Sequence, residues 1–406
     1  MRYIVALLAT VVSAVTLHAQ QPPASKPNEQ VSTLVSRLDL EKYKATIKGL
    51  TQFGDRRQGT ERNRKAIDWI EAQLKSYGCP TERLKYEYNP PPPTKGGGGG
   101  SGGGQKPVNP VIASGEVRAG QGGSRYRGVT RRTGVNNDPS AQPDAKLREL
   151  NREPATNGPR EQVYCTKVGT TRPDEMYIVG AHMDGHGWGE AANDNGSGTA
   201  LVMELARILS MPDVQTDRTI RFALWNNEET GLNGARAYVE QRAALQGKED
   251  PPGSGRYPEP RWLAMIQHDM MMWDHGMPRP DGTWNPEQRP EADVNIEFQS
   301  TAKRADEAMK LAFFFRAANE KYATDYPAAV GPHMTNTDST PFMDIVPAIS
   351  LRENERGMHT GAGWNPTWHQ PIDVFATFSD KDFRLGLNAA QTTLGAVAEL
   401  AGAKVK

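Results

Sequence analysis

Residues 176–184 read Met-Tyr-Ile-Val-Gly-Ala-His-Met-Asp, an apolar run that ends at a histidine and an aspartate. A short apolar run of this kind is typical of a strand that is buried on both faces of a sheet. The sequence predicts an α/β fold, with a mostly parallel mixed sheet covered by helices on both faces. Similar strand-like runs lie at 219–225, 262–267 and 346–351, and they alternate with helical patterns at 198–209, 231–245, 302–320 and 380–401.

The chain ahead of these runs contains a segment that cannot form a core. Residues 96–104 are glycine, broken only by Ser101. Such a segment buries no apolar surface and loses much entropy when it becomes ordered. Polar residues without periodicity continue beyond it. We therefore expect one domain over 20–406, with a flexible Gly/Pro-rich insertion at about 90–160.

Net charge and the N-terminal sequence limit the possible binding partners and the cellular compartment. Lys plus Arg and Asp plus Glu each number 48, so the net charge is zero and no basic surface for nucleic acid is indicated. Residues 1–19 have a charged start, an apolar middle and a small-residue end, which is typical of a secretory signal peptide. No later stretch is apolar over the roughly 18 residues that a membrane helix needs. We expect an exported protein, periplasmic or secreted, without a membrane anchor.

Cys79 and Cys165 are the only cysteines in the sequence. Two cysteines are too few for a cysteine zinc site, but in an oxidising compartment they can pair. A disulfide between them and two buried free thiols both remain open.

Histidine and carboxylate side chains follow the predicted strands, and open α/β sheets bind ligands at the carboxyl ends of their strands. His182 comes directly after the first run, and Asp184 follows it by two positions. An imidazole can bind a metal through one ring nitrogen while a carboxylate receives the N–H of the other and fixes the tautomer. Alone this pair is a weak signal, because a buried histidine without a metal is common.

Three further carboxylates stand at comparable positions. Asp194 precedes a predicted helix that begins near Gly198, where the ordinary interpretation is a helix N-cap. A carboxylate can also bridge two cations about 3.5–4 Å apart, as in two-metal hydrolases. Glu228 and Glu229 follow the second apolar run. Adjacent carboxylates repel one another there unless one binds a cation and the other takes a proton.

Asp269 and His369 complete the set of candidate ligands. Asp269 follows the third apolar run. Its neighbour His268 would point to the opposite face of a strand. His359 is a rival of His369, but the aromatic residue before His369 and Asp373 after it favour His369.

Taken together, these clusters resemble the zinc aminopeptidases and carboxypeptidases of family M28 in residue identity and order. That family carries a His-x-Asp after a strand, a Gly/Ala-x-Asp-Asn turn, a Glu-Glu pair, an Asp-Met, and a late histidine with an acid four residues on. The resemblance covers roughly Gln162 to the C-terminus and extends more weakly to 53–60. Ser339 stands where the family usually has a histidine.

The resemblance implies two zinc ions (Zn2+) per chain. One ion would be held by His182 and Asp269, and the other by Glu229 and His369. Asp194 would bridge both ions.

The resemblance also implies the catalytic residues. Glu228 would be the general base and acid, Asp184 would support His182, and Asp373 would support His369. We therefore expect a zinc exopeptidase that acts on peptide or protein substrates, in the first instance an aminopeptidase.

Three alternatives remain within this interpretation. A carboxypeptidase or dipeptidase needs a cation for the free carboxylate, and Arg352 or Arg356 could serve. A one-zinc cyclase of N-terminal glutamine is a second alternative. A binding protein that keeps the fold without catalysis is the third.

Overall fold

The computed structural model describes residues 26–90, 135–274, 294–323, 325–332, 334, 337–353, 365 and 367–406. The predicted signal peptide and the glycine run lie outside the described residues.

The described residues form the helices α1 (Glu29–Val35), α2 (Leu40–Thr51), α3 (Glu61–Ser76), α4 (Ala145–Leu150), α5 (Gly196–Leu209), α6 (Asn233–Arg242), α7 (Ala305–Tyr322) and α8 (Asp380–Ala401). The helices α5 to α8 begin and end close to the predicted patterns. None of the helices in the described ranges is both long and apolar enough to cross a bilayer.

The strands are short and mostly buried. They are β1 (Thr81–Tyr88), β2 (Gly158–Lys167), β3 (Arg172–His182), β4 (Val214–Gln215), β5 (Arg218–Trp225), β6 (Arg261–His268), β7 (Val294–Phe298), β8 (Ala328–Gly331), β9 (Ala348–Arg352) and β10 (Lys404–Val405).

One mixed sheet organises the described residues, in the order β1-β2-β5-β3-β6-β9-β7-β8. At its centre β5, β3, β6 and β9 run parallel to one another. The antiparallel pairs β1–β2, β2–β5 and β7–β9 lie towards the two edges. The predicted α/β fold with a mostly parallel mixed sheet is therefore confirmed, and the carboxyl ends of the four central strands meet at one edge.

The sheet has a core on each face. Successive residues of β3 point to opposite faces, so Ile178 belongs to one apolar cluster and Val179 to the other. The larger cluster contains residues of α2, α5 and α8, and the smaller one includes Tyr238 of α6. Because both faces are covered, the central strands have to be apolar along most of their length.

The helices that frame the site begin at capping residues. The side chain of Asn195 accepts a hydrogen bond from the Gly198 amide at the start of α5. Asn195, not Asp194, is thus the N-cap of α5, and the capping interpretation of Asp194 is wrong. Ser379 and Asp382 form a capping box at the start of α8.

Part of the predicted insertion is folded. Residues 135–160 were assigned to it, yet they include α4 and the beginning of β2. Asp144 caps α4, and the side chains of Gln142 and Asn151 are buried against site loops. Burial of two amides in a polar stretch gives no periodic signal, which is why the sequence did not show it.

The last two strands of the sheet order, β7 and the edge strand β8, were also not predicted. In β7 the buried apolar residues Val294 and Ile296 alternate with Asn295 and Glu297, which are buried as well. Alternation normally indicates one solvated face. Here the polar face is buried because Glu297 lies 3.3 Å from the guanidinium of Arg352.

Cys79 and Cys165 form a disulfide, with their Cα atoms 5.6 Å apart. The alternative of two free thiols is therefore excluded. The bond joins the end of the α3 segment to β2 across a sequence separation of 86 residues. Closing so long a loop removes many conformations of the unfolded chain.

We expect the double variant Cys79→Ala, Cys165→Ala to lose about 2–4 kcal/mol of unfolding free energy, because its unfolded chain gains the entropy that the cross-link removes. Urea denaturation of both proteins measures the difference. Reductant should destabilise the wild type and leave the variant unchanged. Equal midpoints without reductant would contradict the stabilising role.

Candidate metal centre

The predicted ligands converge at the carboxyl edge of the sheet. His182 is the last residue of β3, Asp269 follows β6 directly, and Glu229 follows β5 by four positions. Because β5, β3 and β6 are adjacent parallel strands, these side chains lie close together. The sequence separation between them is large, so only the parallel register brings them to one place.

Asp194 lies between two histidines. Its Oδ1 is 3.4 Å from Nε2 of His182, and its Oδ2 is 3.1 Å from Nε2 of His369. Each oxygen thus faces a different imidazole, and the side chain is almost fully buried. This is the arrangement that a bridging carboxylate needs.

Two clusters of donor atoms result. In the first cluster Nε2 of His182 lies 3.5 Å from Oδ1 of Asp269. In the second cluster Nε2 of His369 lies 2.9 Å from Oε2 of Glu229. Asp194 belongs to both clusters. The structure therefore brings together all five residues that the resemblance implies as ligands.

The donor spacing fits metal ions. Around a tetrahedral zinc ion with bonds of about 2.0–2.1 Å, neighbouring donor atoms are separated by about 3.3 Å. The distances within the two clusters scatter around that value. Among the described residues, Oδ1 of Asp269 and Oε1 of Glu229 are buried without a hydrogen-bond partner. Buried carboxylate oxygens are costly in that state, and a cation would satisfy them.

The pKa values of the two adjacent glutamates are shifted in opposite directions. Burial raises the pKa of Glu228 well above its usual range and nearby carboxylates add to this, although His182 opposes it. Burial also acts to raise the pKa of Glu229, but His186 and His369 lower it to about 2. One glutamate thus favours its charged form and the other favours a proton, as repulsion between adjacent carboxylates requires.

Asp184 supports the site differently from the prediction. Nδ1 of His182 lies 3.0 Å from the main-chain oxygen of Asp184, while the carboxylate is 3.9 Å from that nitrogen. The carboxylate instead accepts hydrogen bonds from the main-chain N–H groups of Glu228 (3.0 Å) and Glu229 (3.4 Å). At 3.9 Å the carboxylate forms no hydrogen bond with the imidazole, and the main-chain oxygen of Asp184 contacts Nδ1 instead. Asp184 positions the glutamate pair.

Asp373 also has a different partner from the one predicted. Its carboxylate accepts hydrogen bonds from the main-chain N–H groups of Asn193 (2.8 Å) and Asp194 (3.0 Å). Burial and the charge of Asp194 raise the pKa of Asp373 to about 7, although those two donors act in the opposite direction. Nδ1 of His369 has no partner within the described ranges. Asp373 thus holds Asp194 in place and not His369.

The asparagines beside Asp194 connect it to Asp269. The side chain of Asn195 donates to the main-chain oxygen of His268 (2.9 Å) and accepts from the N–H of Met270 (3.2 Å). These two contacts bracket Asp269 on both sides. The separation of the two carboxylates is thereby set by one amide side chain.

The remaining histidines differ in whether they lie at the site. His268 points away from the site, with its nitrogens 3.1 Å from the Gly180 oxygen and 2.9 Å from the Thr393 hydroxyl, as predicted. The rival His359 lies outside the described residues. His186 is not among the ligands that the family resemblance implies, yet its Nε2 lies 3.0 Å from Oε2 of Glu229.

The segment that departs from the family pattern borders the first cluster. Ser339 is buried, and its hydroxyl lies 2.8 Å from the Met334 sulfur. Asp338 accepts a hydrogen bond from Gln267 (3.1 Å), whose oxygen accepts from the Trp225 indole (3.2 Å). Burial raises the pKa of Asp338 well above its usual range, against the charge of His182.

Arg56 is a site-supporting residue that the sequence did not reveal. Its buried guanidinium donates to the main-chain oxygens of Met183 (2.8 Å), Glu190 (2.9 Å) and Ala191 (2.7 Å). These oxygens stand at the two ends of the loop between β3 and Asp194. Arg56 therefore closes that loop, and it falls within the weaker part of the family resemblance at 53–60.

The fold and the two histidine–carboxylate clusters define this chain as an α/β protein with a site suited to two metal ions. A family profile described as "Peptidase family M28" matches residues 163–389. The chain belongs to this family.

Two known proteins show where the sequence similarity lies. The chain is 44% identical over 68 residues to "Aminopeptidase YwaD" of Bacillus subtilis, which covers 17% of this chain and 14% of that protein. It is 34% identical over 89 residues to "Carboxypeptidase Q" of Xenopus laevis, covering 21% and 19%. The matched segments thus span less than a fifth of these relatives.

Similarity to solved structures is broader. The solved "Aminopeptidase from Aneurinibacillus sp. strain AM-1" superposes with a TM-score of 0.58 at 20% identity, over 93% of this chain and 97% of that chain. At this identity the similarity shows the shared fold.

We expect Arg56→Met to lower the free energy of unfolding by about 3 kcal/mol or more, because each buried carbonyl left without a donor costs about 1–3 kcal/mol. Urea denaturation measures the change. The matched control is Arg57→Met at the exposed neighbouring position, where we expect little effect. Similar small losses in both variants would contradict the loop-closing role of Arg56.

Proposed function

We propose that this protein is an exported, two-zinc aminopeptidase. The observation that carries the proposal is the position of Asp194, whose two carboxylate oxygens each face a different imidazole. The ligands assigned are His182 and Asp269 for one ion and Glu229 and His369 for the other. His and carboxylate donors suit zinc.

The metal ions and the protein side chains would have different roles in hydrolysis. When bound, a pair of zinc ions would lower the pKa of a water molecule and polarise the scissile carbonyl. Glu228 is assigned as general base and acid, because burial favours its protonated form and an oxygen of it lies within 4.8 Å of the donor atoms of His182 and Asp269. It can hold a proton there and pass it to the leaving amine. Asp184 holds the main chain at Glu228 and Glu229 by accepting hydrogen bonds from their N–H groups.

The position of Arg352 favours an aminopeptidase over a carboxypeptidase. Arg352 is fully buried, 3.4 Å from Asp269 and 3.3 Å from Glu297. A guanidinium held by two protein carboxylates is not available to a substrate carboxylate. The other arginine considered, Arg356, lies outside the described residues. A carboxypeptidase or dipeptidase is the second candidate, since one relative carries the name carboxypeptidase.

Export is supported by two features. The first 19 residues are typical of a signal peptide. The Cys79–Cys165 disulfide suits an oxidising compartment outside the cytoplasm.

A single catalytic domain over 20–406 is supported by the sheet. Eight strands, from β1 near the start of the described residues to β9, join into one sheet, and β1 and β2 are neighbours in it although 69 residues separate them in the sequence. A non-catalytic protein on this fold would be expected to have lost ligands or the base, whereas all of these residues are gathered at one edge.

The first experiment is an assay of the purified protein on aminoacyl anilides and their N-blocked counterparts. We expect cleavage of the free-amine substrates only, loss of cleavage on chelation, recovery with zinc, and about two metal ions per chain by elemental analysis. N-blocked dipeptides with a free carboxylate are assayed alongside, and cleavage of those substrates instead would establish the carboxypeptidase. Bound metal without any hydrolysis would favour the non-catalytic alternative.

We expect Glu228→Gln to keep its metal ions and to lose roughly a hundredfold to ten-thousandfold of kcat, because an amide cannot shuttle the proton. Elemental analysis and steady-state kinetics check both parts. The matched variant Glu229→Gln should instead lose metal, since Glu229 is assigned as a ligand. Near wild-type turnover in Glu228→Gln would remove its catalytic role.

A further inference from the structure

A sixth residue that can bind a metal, His186, lies beside the second cluster. His186 lies in the loop between β3 and α5, and its side chain is only 12% exposed. Its ring meets the His369 ring edge to face, with centroids 4.1 Å apart and planes at 85°. Its Nε2 lies 3.0 Å from Oε2 of Glu229. Donor atoms of His186, Glu229 and His369 all lie within 4.8 Å of one another.

The contact between His186 and Glu229 is short but lacks the angles of a well-formed hydrogen bond. Within the described residues Nε2 of His186 is buried without a hydrogen-bond partner, although Oε2 of Glu229 is at contact distance. The ring nitrogen therefore does not aim at that oxygen. Their separation is close to the roughly 3.3 Å between neighbouring donors on a tetrahedral zinc ion. An imidazole nitrogen and a carboxylate oxygen at this distance, without good hydrogen-bond geometry between them, suit a shared metal ion.

The loop that carries His186 is held against His369. Gly187 has a φ of +97°, and a Cβ there would lie 2.3 Å from the main-chain carbon of His369. A side chain at 187 would therefore force the two loops apart. Gln142 joins the same loops, donating to the main-chain oxygens of Trp188 (2.8 Å) and Pro371 (2.9 Å).

The segment before β2 adds a further contact to this loop. The side chain of Asn151 donates to the main-chain oxygen of Gly189 (2.8 Å). The placement of His186 thus depends on contacts along the whole loop, and a position fixed in this way suits a metal ligand.

We propose that His186 is a fourth protein ligand of the ion in the second cluster, an inference that rests on the two-metal function proposed above. That ion would then have donors from His186, Glu229, His369 and Asp194. The first cluster offers His182, Asp269 and Asp194. The first ion would then have fewer protein ligands, which suits the position that catalytic zinc sites keep open, and Glu228 lies beside those ligands.

The test compares wild type with His186→Phe, which keeps an aromatic ring against His369 but removes the donor nitrogen. Metal-free proteins are titrated with Zn2+ against a competing chelator and with Co2+ by absorption spectroscopy. We expect the affinity for one of the two ions to fall by about a hundredfold or more, because even the hydrogen-bond partners of ligands contribute about 10–100-fold. The visible Co2+ bands of that ion should change with its coordination.

Thermal unfolding separates a ligand role from a packing role. The metal-free forms of wild type and His186→Phe should melt at similar temperatures, while metal should raise the Tm of the variant less. If His186→Phe does not fold, His186→Asn provides the same comparison. His369→Ala is the reference for loss of a ligand in the second cluster.

The outcomes distinguish this inference from the proposed function. A wild type that binds two ions and hydrolyses peptides, with unchanged affinities and Co2+ bands in both His186 variants, overturns the ligand role alone. A wild type that binds no metal overturns the proposed function and the ligand role with it.

Discussion

Burial of negative charge at the carboxyl edge of the sheet is the constraint on which the rest of the structure depends. Asp194, Glu229 and Asp269 are each less than a tenth exposed. An isolated carboxylate removed from water costs more free energy than a folded domain has to spare. Each of these groups must therefore meet a cation or a set of donors, and the surrounding loops are arranged to provide them.

Other protein groups contact these carboxylates on the outer side of the cluster, whereas their inner oxygens face imidazole rings. Arg352 contacts Oδ2 of Asp269, whereas Oδ1 faces His182. Asp373 binds the main chain at Asp194, so both carboxylate oxygens of Asp194 point inwards to imidazoles. Without metal the histidines take up the charge as protons: burial lowers the pKa of His369, but Glu229 and Asp194 raise it to about 9. A metal ion and a proton thus compete for the same inner space.

Several parts of this site were predictable and others were not, for a physical reason in each case. The ligands follow apolar strands, and strand ends in a parallel sheet form a binding edge, so His182 and Asp269 could be placed from sequence. The partners of Asp184 and Asp373 could not, because both carboxylates bind main-chain N–H groups of other loops. Arg56 donates to main-chain carbonyl oxygens of the site loop and of its own segment, and such contacts carry no sequence pattern.

The sequence by itself determined the alternation of strands and helices, the residue types that can bind metal, and the order in which they occur. Those properties depend on local apolar periodicity and on side-chain chemistry, and both can be read from residues adjacent in the sequence. Only the tertiary structure decided that Cys79 pairs with Cys165, that polar residues 135–160 include a helix and a strand, and that His186 stands beside Glu229. These contacts join segments far apart in the chain, and their energy comes from packing and burial that no local pattern records.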